Sequence, residues 1–177
     1  EEQSAEIGQA RSASERLLEV VDALLDFTAL KRGTLELVVD EFDARVPLRD
    51  AMRAAKGLPA GVQLIAEEPV LALPPMRGDR RRITRILVSL LANAFKFTVT
   101  GEVRAAVSVT NGRVQYRVED TGIGIEPAAQ LVVFDEFRQV DGTATRRYGG
   151  AGLGLALSRG VAQLLGGDID LVSVPGQ

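Results

Sequence analysis

DRRRITRILVSLLANAFKFT, Asp79 to Thr98, is the stretch that decides how this chain folds. Asp79 suits a helix N-cap, because a carboxylate there can accept from the free amides of the first turn. Ile83, Ile86, Leu87, Leu90, Leu91 and Ala94 recur at three- and four-residue steps, which predicts a helix to about Phe97 with a buried stripe. Ser89, Asn93 and Lys96 stand at i, i+4 and i+7 and so line one adjoining face. An Asn amid apolar residues is costly unless its amide is satisfied. It can bond to backbone beside a solvated Lys96. Alternatively it can be a neutral oxygen ligand for a hard cation such as Mg²⁺, with Lys96 a turn away to meet a phosphate. The helix by itself leaves both open.

Outward from this helix, strands and helices interleave. Gly101–Thr110 and Arg113–Glu119, joined through Asn111-Gly112, predict a hairpin. Upstream, short strands are expected at Leu35–Val39, Val62–Ala66 and Val70–Leu73, with a helix near Leu48–Lys56. Downstream, a Gly-rich stretch ends at Gly154, a helix runs to about Leu165, and Gly166-Gly167 precede an expected last strand, Asp168–Val174. The chain opens on an amphipathic helix whose Leu17, Leu18, Val21, Leu24, Leu25 and Leu30 share a stripe, and which Gly33 ends. One such helix cannot bury its own stripe, so it packs on the following domain or forms a hairpin or bundle with another helix. The fold class expected is α/β (α+β): a mixed sheet backed by helices and preceded by a long amphipathic helix.

Composition narrows the chemistry. There is no Cys and no His, which removes a disulfide framework, a thiolate metal site, the commonest metal ligand and the commonest general base. A net charge of −3 does not favour a general nucleic-acid surface. No apolar run reaches the roughly 18–20 residues that span a bilayer, and no signal-peptide pattern opens the chain. A cytoplasmic fragment is expected, whose parent can be membrane-anchored elsewhere. Only three of the 21 basic residues are Lys, so Lys96 stands out.

Three further segments carry chemistry. VQYRVEDTGIGI, Val114 to Ile125, reads as a half-buried strand ending in Glu119-Asp120 and then Gly122 and Gly124. Asp120 can accept from an adenine amino group, the glycines letting the base approach the backbone, or it can belong to an ordinary Asp-Thr-Gly turn. RRYGGAGLGLALS, Arg146 to Ser158, brings Gly149, Gly150, Gly152 and Gly154 directly into a helix, where free amides and the dipole suit a phosphate. It lacks the Gly-Lys-Ser/Thr of a Walker A loop and the spacing of a Rossmann turn. Between the two, VFDEFRQVDGTATRRY carries Phe134 and Phe137 in a polar loop. They can anchor a mobile lid, with Arg138 and Gln139 facing phosphates, or tie a long loop to the core.

Together these segments resemble the catalytic and ATP-binding domain of sensor histidine kinases, in the superfamily that includes gyrase, the heat-shock chaperone ATPase and the mismatch-repair ATPases. ANAFKFT resembles the family's Asn box, DTGIGI its first glycine box, FDEFRQVD its Phe box and GGAGLGLALS its second glycine box. GGDIDLVSVPGQ resembles the start of a third. The resemblance implies a two-layer α/β sandwich of the Bergerat type with an ATP lid at about Gln139–Gly150. It implies that Asn93 coordinates Mg²⁺, that Lys96 and Arg138 contact phosphate, and that Asp120 recognises adenine. Ser89, Gly122, Gly124, Phe134, Phe137, Gln139, Gly150, Gly152, Leu153 and Gly154 would complete the ATP site. Residues 1–33 resemble the second helix of the dimerisation and phosphotransfer hairpin, and 34–177 the catalytic domain with its C-terminal strand truncated.

The chain departs from the family pattern in four ways. Ser89 stands where Asn is common, Ala151 replaces a common Thr or Ser, the third glycine box is incomplete, and the phosphoacceptor His with its helix is missing. The function implied is transfer of the γ-phosphate of Mg-ATP to a histidine supplied by a preceding segment or a partner subunit, within a homodimer and upstream of a response regulator. Two alternatives from other classes are a nucleotide-binding pseudokinase module and an ATPase. Water-hydrolysing relatives typically carry Glu where this chain has Ser89, which weighs against the latter.

Overall fold

The computed structural model of the protein describes residues 2–69, 73–136, 138 and 152–176. The decisive stretch is helical as expected: α3 runs Arg80–Phe97, and Asp79 caps it by accepting from the Arg82 amide at 2.9 Å. The other carboxylate oxygen of Asp79 accepts from the Val38 amide at 2.9 Å, so this buried acid is doubly satisfied.

Around α3 the order is α1 (Glu2–Lys31), β1 (Asp40–Asp43), α2 (Arg45–Ala54), β2 (Val62–Glu67), β3 (Pro75–Gly78), then β4 (Gly101–Thr110), β5 (Arg113–Asp120), a short α4 (Pro127–Gln130) and α5 (Gly154–Leu164). The main sheet has the order β2-β4-β5, with β2 parallel and β5 antiparallel to β4. It is therefore a mixed sheet, backed by α2 and α3. Asn111 at φ 52° and Gly112 at φ 75° make the tight turn whose twist matches the two strands. β1 and β3 form a separate antiparallel pair.

Alternation fixes which sheet face is buried. Val103, Ala105 and Val107 are buried on β4, and Val118 and Tyr116 stand opposite Ala105 and Val107 on β5. They pack against Leu48 and Ala51 of α2 and Ile83, Leu87, Leu91, Ala94 and Phe95 of α3. Tyr116 donates from its hydroxyl to the Ala44 carbonyl at 2.7 Å, and burial pushes its pKa up. A second core lies on the other side of α3, where Phe27 of α1 meets Leu153, Leu157 and Val161, with Ile86 of α3 packed against them. Thus α3 is buried on two faces.

Among the described residues, α1 joins this body at its end. Leu30 lies against Gly160 of α5, and Asp26 takes Arg82 at 2.8 Å and Arg85 at 2.5 Å. Leu17, Leu18, Val21, Leu24 and Leu25 remain exposed, so most of the predicted stripe is not covered by the following domain.

Two strand expectations need correction, and a third falls mostly outside the described residues. Leu35–Val39 is not a strand: the Val38 amide goes to Asp79 instead of a ladder partner, and pairing begins at Asp40. Of Val70–Leu73, residues 70–72 lie outside the described residues, and the strand found there is Pro75–Gly78. Asp168–Val174 forms no ladder among the described residues, because its hydrogen bonds involve side chains. Ser173 Oγ accepts from the Ile125 amide at 2.9 Å, and Gln130 Nε2 donates to the carbonyls of Ile125 and Ser173 at 2.6 and 2.9 Å.

Candidate functional site

The polar row of α3 sits between two other predicted segments. At one end Ser89 faces the first residue of α5: a Cβ placed on Gly154 would come within 3.2 Å of Ser89 Oγ. At the other end the Phe97 carbonyl accepts from the Ile123 amide at 3.3 Å. Eight residues of helix separate these poles, about 12 Å at the α-helical rise. Between them Asn93 is half-buried, and its amide makes no hydrogen bond among the described residues. Of the two uses open to it, satisfaction by backbone is therefore not observed. Lys96 is also half-buried, forms no ion pair among the described residues, and lies 5.0 Å from the Phe97 ring centroid. Burial holds its pKa below the ordinary lysine value.

Asp120 closes β5 opposite Val103. One of its carboxylate oxygens, Oδ1, accepts from the Gly122 amide at 2.9 Å and from Thr98 Oγ1 at 3.5 Å. The following loop is packed too closely for side chains at its glycines. A Cβ on Gly122 would lie 2.5 Å from the Phe97 carbonyl oxygen, and one on Gly124 2.3 Å from that of Val174, where the backbone also has φ +68°. Thr121 pins the loop to β4, its Oγ1 accepting from the Glu102 amide at 3.0 Å.

Of the second glycine segment, the described end is Gly152 to Gly154, which opens α5. Gly152 has φ +66°, and α5 starts at Gly154 without a side-chain cap among the described residues, an arrangement that leaves first-turn amides for another acceptor. Leu153, placed among the nucleotide-binding residues on sequence grounds, is 3% exposed and packed in the second core. Its side chain is structural, and only its backbone can border a ligand. A Gly-rich loop is read through its amides, so the spacing could not distinguish the two.

Phe134 ties the loop to the body: the Arg159 guanidinium of α5 lies 4.9 Å from its ring centroid, and Arg159 is itself held by Asp168 at 2.9 Å. Arg138 is exposed and 3.9 Å from Asp135; no described contact joins it to Asn93, Lys96 or Gly154. Phe137 and all of the expected lid, Gln139 to Gly150, lie outside the described residues. Thr98 was missed as a candidate. It is 1% exposed, and its partner Asp120 is 22 residues away, a pairing that no local spacing signals.

These residues fit Mg-ATP. Among the described residues no three Asp, Glu, His or Cys converge as a metal cage. A separate cleft of ≈ 520 Å³ opens near the start of α3, among Val38, Asp50, Arg81 and Val88, and contains no predicted site residue.

The chain matches the family model described as histidine kinase-, DNA gyrase B- and HSP90-like ATPase over residues 78–177. It is 32% identical over 179 residues to the autoinducer 2 sensor kinase/phosphatase LuxQ of Vibrio cholerae, covering 98% of this chain and 21% of that protein. It is 34% identical over 176 residues to the signal transduction histidine-protein kinase BarA of Escherichia coli, covering 93% and 19%. The chain thus spans about a fifth of the length of these two relatives. Among solved structures, full-length ShkA in complex with AMPPNP superposes with a TM-score of 0.77 at 31% identity, covering 94% of this chain and 35% of that one. The Acinetobacter baumannii histidine kinase AdeS gives 0.75 at 23% identity, covering 96% and 78%, a likeness of fold.

Proposed function

The chain belongs to the histidine kinase-, DNA gyrase B- and HSP90-like ATPase family, and from that premise we propose that it binds Mg-ATP and passes the γ-phosphoryl group to a histidine outside its own sequence. One observation carries this. Asn93 and Lys96, engaged in no hydrogen bond or ion pair among the described residues, lie on α3 between the amide-rich start of α5 and the loop that holds Asp120. A triphosphate would lie along that row, with phosphates toward Lys96 and the Gly154 amides and the base toward Asp120. Asn93 would hold the Mg²⁺, which when bound neutralises phosphate charge. The ShkA complex with AMPPNP adds support.

In the reaction the bond between the γ-phosphorus and its bridging oxygen breaks, a nitrogen–phosphorus bond forms on the imidazole, and ADP leaves. The residues of this chain contribute positioning and charge, which suffices when the nucleophile is an imidazole nitrogen. Arg138, on the described part of the loop, would approach the phosphates. Residues 1–33 would supply one helix of a dimerising hairpin, a role supported by the exposed Leu17, Leu18, Val21, Leu24 and Leu25, and the phosphohistidine would serve a response regulator.

The test supplies the chain with a helix that carries an acceptor histidine, fused upstream of residue 1, and incubates it with Mg-ATP labelled at the γ-phosphate. The expected product is an acid-labile phosphate on that histidine, lost when Asn93 is Ala. Nucleotide binding without such a product would leave a binding module and refute the kinase role.

A further inference from the structure

The carboxylate of Asp120 has two oxygens with different surroundings. Oδ1 accepts from the Gly122 amide at 2.9 Å and from the Thr98 hydroxyl at 3.5 Å, whereas Oδ2 makes no hydrogen bond among the described residues. Thr98 is fully buried at the C-cap of α3, its amide held by the Ala94 carbonyl at 3.0 Å. Asp120 Oδ1 is the one partner of its hydroxyl among the described residues. A buried hydroxyl is retained at a cost unless it is paired, and here it is paired to the exposed acid that ends β5.

We propose that Thr98 is a positioning residue for base recognition: it fixes the rotation of the Asp120 carboxylate so that Oδ2 alone is presented to the exocyclic amino group of adenine. The inference rests on the adenine role proposed for Asp120. The Gly122 amide alone constrains the carboxylate from its own loop. Thr98 adds a donor from α3, the helix that carries Asn93 and Lys96, and so registers the base-recognising acid against the row that meets the phosphates. The same geometry dictates what Asp120→Asn does. Two donors at the Oδ1 position require the amide oxygen there, which turns the amide NH₂ toward the adenine NH₂, donor against donor.

The experiment measures dissociation constants of the 177-residue chain for ATP and for purine riboside triphosphate, which lacks the 6-amino group. Thr98→Val keeps the shape and removes the hydroxyl. It should weaken ATP by about tenfold, the scale of one hydrogen bond to a charged group. Purine riboside triphosphate should change by less than about twofold on the same scale, and Thr98→Ser should restore ATP binding. Thr98→Cys, a near-isostere with a weaker donor, carries the same comparison if the Val chain does not fold. Equal losses for both nucleotides, or no loss of ATP, would overturn the role of Thr98. Asp120→Asn separates the two layers. If it too fails to discriminate between the nucleotides, the adenine role falls and the inference with it. If it discriminates while Thr98→Val does not, only the inference falls.

Discussion

Replacing Gly160 by Ala sets two opposed effects against one another at the place where α1 docks. In the interior of α5, Ala is favoured over Gly by about 1 kcal/mol through backbone entropy. Against this, the new Cβ would stand 2.4 Å from Leu30 Cδ2 and 3.6 and 3.9 Å from its Cγ and Cδ1. Carbon atoms pack at about 3.5–4.0 Å, so the terminal methyl must move by more than about 1 Å. A leucine end can rotate away, and since Leu30 is half-buried, the cost is part of a Leu burial, about 1–2 kcal/mol. Gly160→Ala should therefore change the stability of the whole chain little, by about 1 kcal/mol or less and toward destabilisation. In a Leu30→Ala background the obstruction is gone and the helix gain of about 1 kcal/mol should appear in full. The coupling between the two sites is then about 1–2 kcal/mol. Urea unfolding of the four chains, read as midpoint shifts at constant slope, measures it directly. If Gly160→Ala stabilises both backgrounds equally, Leu30 does not occupy that position and α1 is not seated on α5.

Four other outcomes are expected. Asn93→Ala should abolish the Mg²⁺ dependence of ATP binding by calorimetry while leaving metal-free binding in place; an unchanged dependence refutes the ligand role. Lys96→Met should weaken ATP by roughly 10- to 100-fold, the loss of a charge-assisted contact. Because burial already disfavours the ammonium, it should not lower the unfolding midpoint of the nucleotide-free chain, and a large drop there would refute this account. Gly124→Ala meets both a positive φ and the Val174 carbonyl and should cost about 2 kcal/mol or more, visible as a lower midpoint in urea. Asp168 is held at a pKa of about 2, first by the Arg159 side chain and then by the Ile169 amide. Its folded value lies below the unfolded value of about 3.9, so its contribution is present above about pH 4 and lost as pH falls toward 2. Asp168→Asn should flatten that part of the acid-unfolding curve, and an unaltered curve counts against the pair.

Much of the fold was legible because the strongest periodicities coincide with real burial. The apolar steps of 83–94, the Asn111-Gly112 turn and Gly152 just before α5 each have one local solution. The β1–β3 pair was not legible, since both strands are four residues long, only half of those residues are exposed, in no strict alternation, and one begins with Pro75. The segment at 168–174 alternates like a strand, yet its partners are the side chains of Gln130 and Arg159 and the Ile125 amide, up to about fifty residues distant. The same limit applies at the candidate site. Asn93 and Lys96 are placed by helical spacing, and Asp120 by the end of an alternating strand. Thr98 and the burial of Leu153 depend on what lies across the fold, which periodicity along the chain does not report.

α3 has almost no idle circumference. Two of its faces fill cores, a third carries Ser89, Asn93 and Lys96, and Arg82 and Arg85 hold Asp26. Substitutions at those positions are constrained by packing or by partners, so variation that keeps the protein working is funnelled elsewhere. The outward leucines of α1 are the opposite case: among the described residues nothing in the body covers them, and they can diverge together with whatever surface does. A lineage of such chains would therefore keep its nucleotide chemistry in one rigid helix while choosing its companions with another.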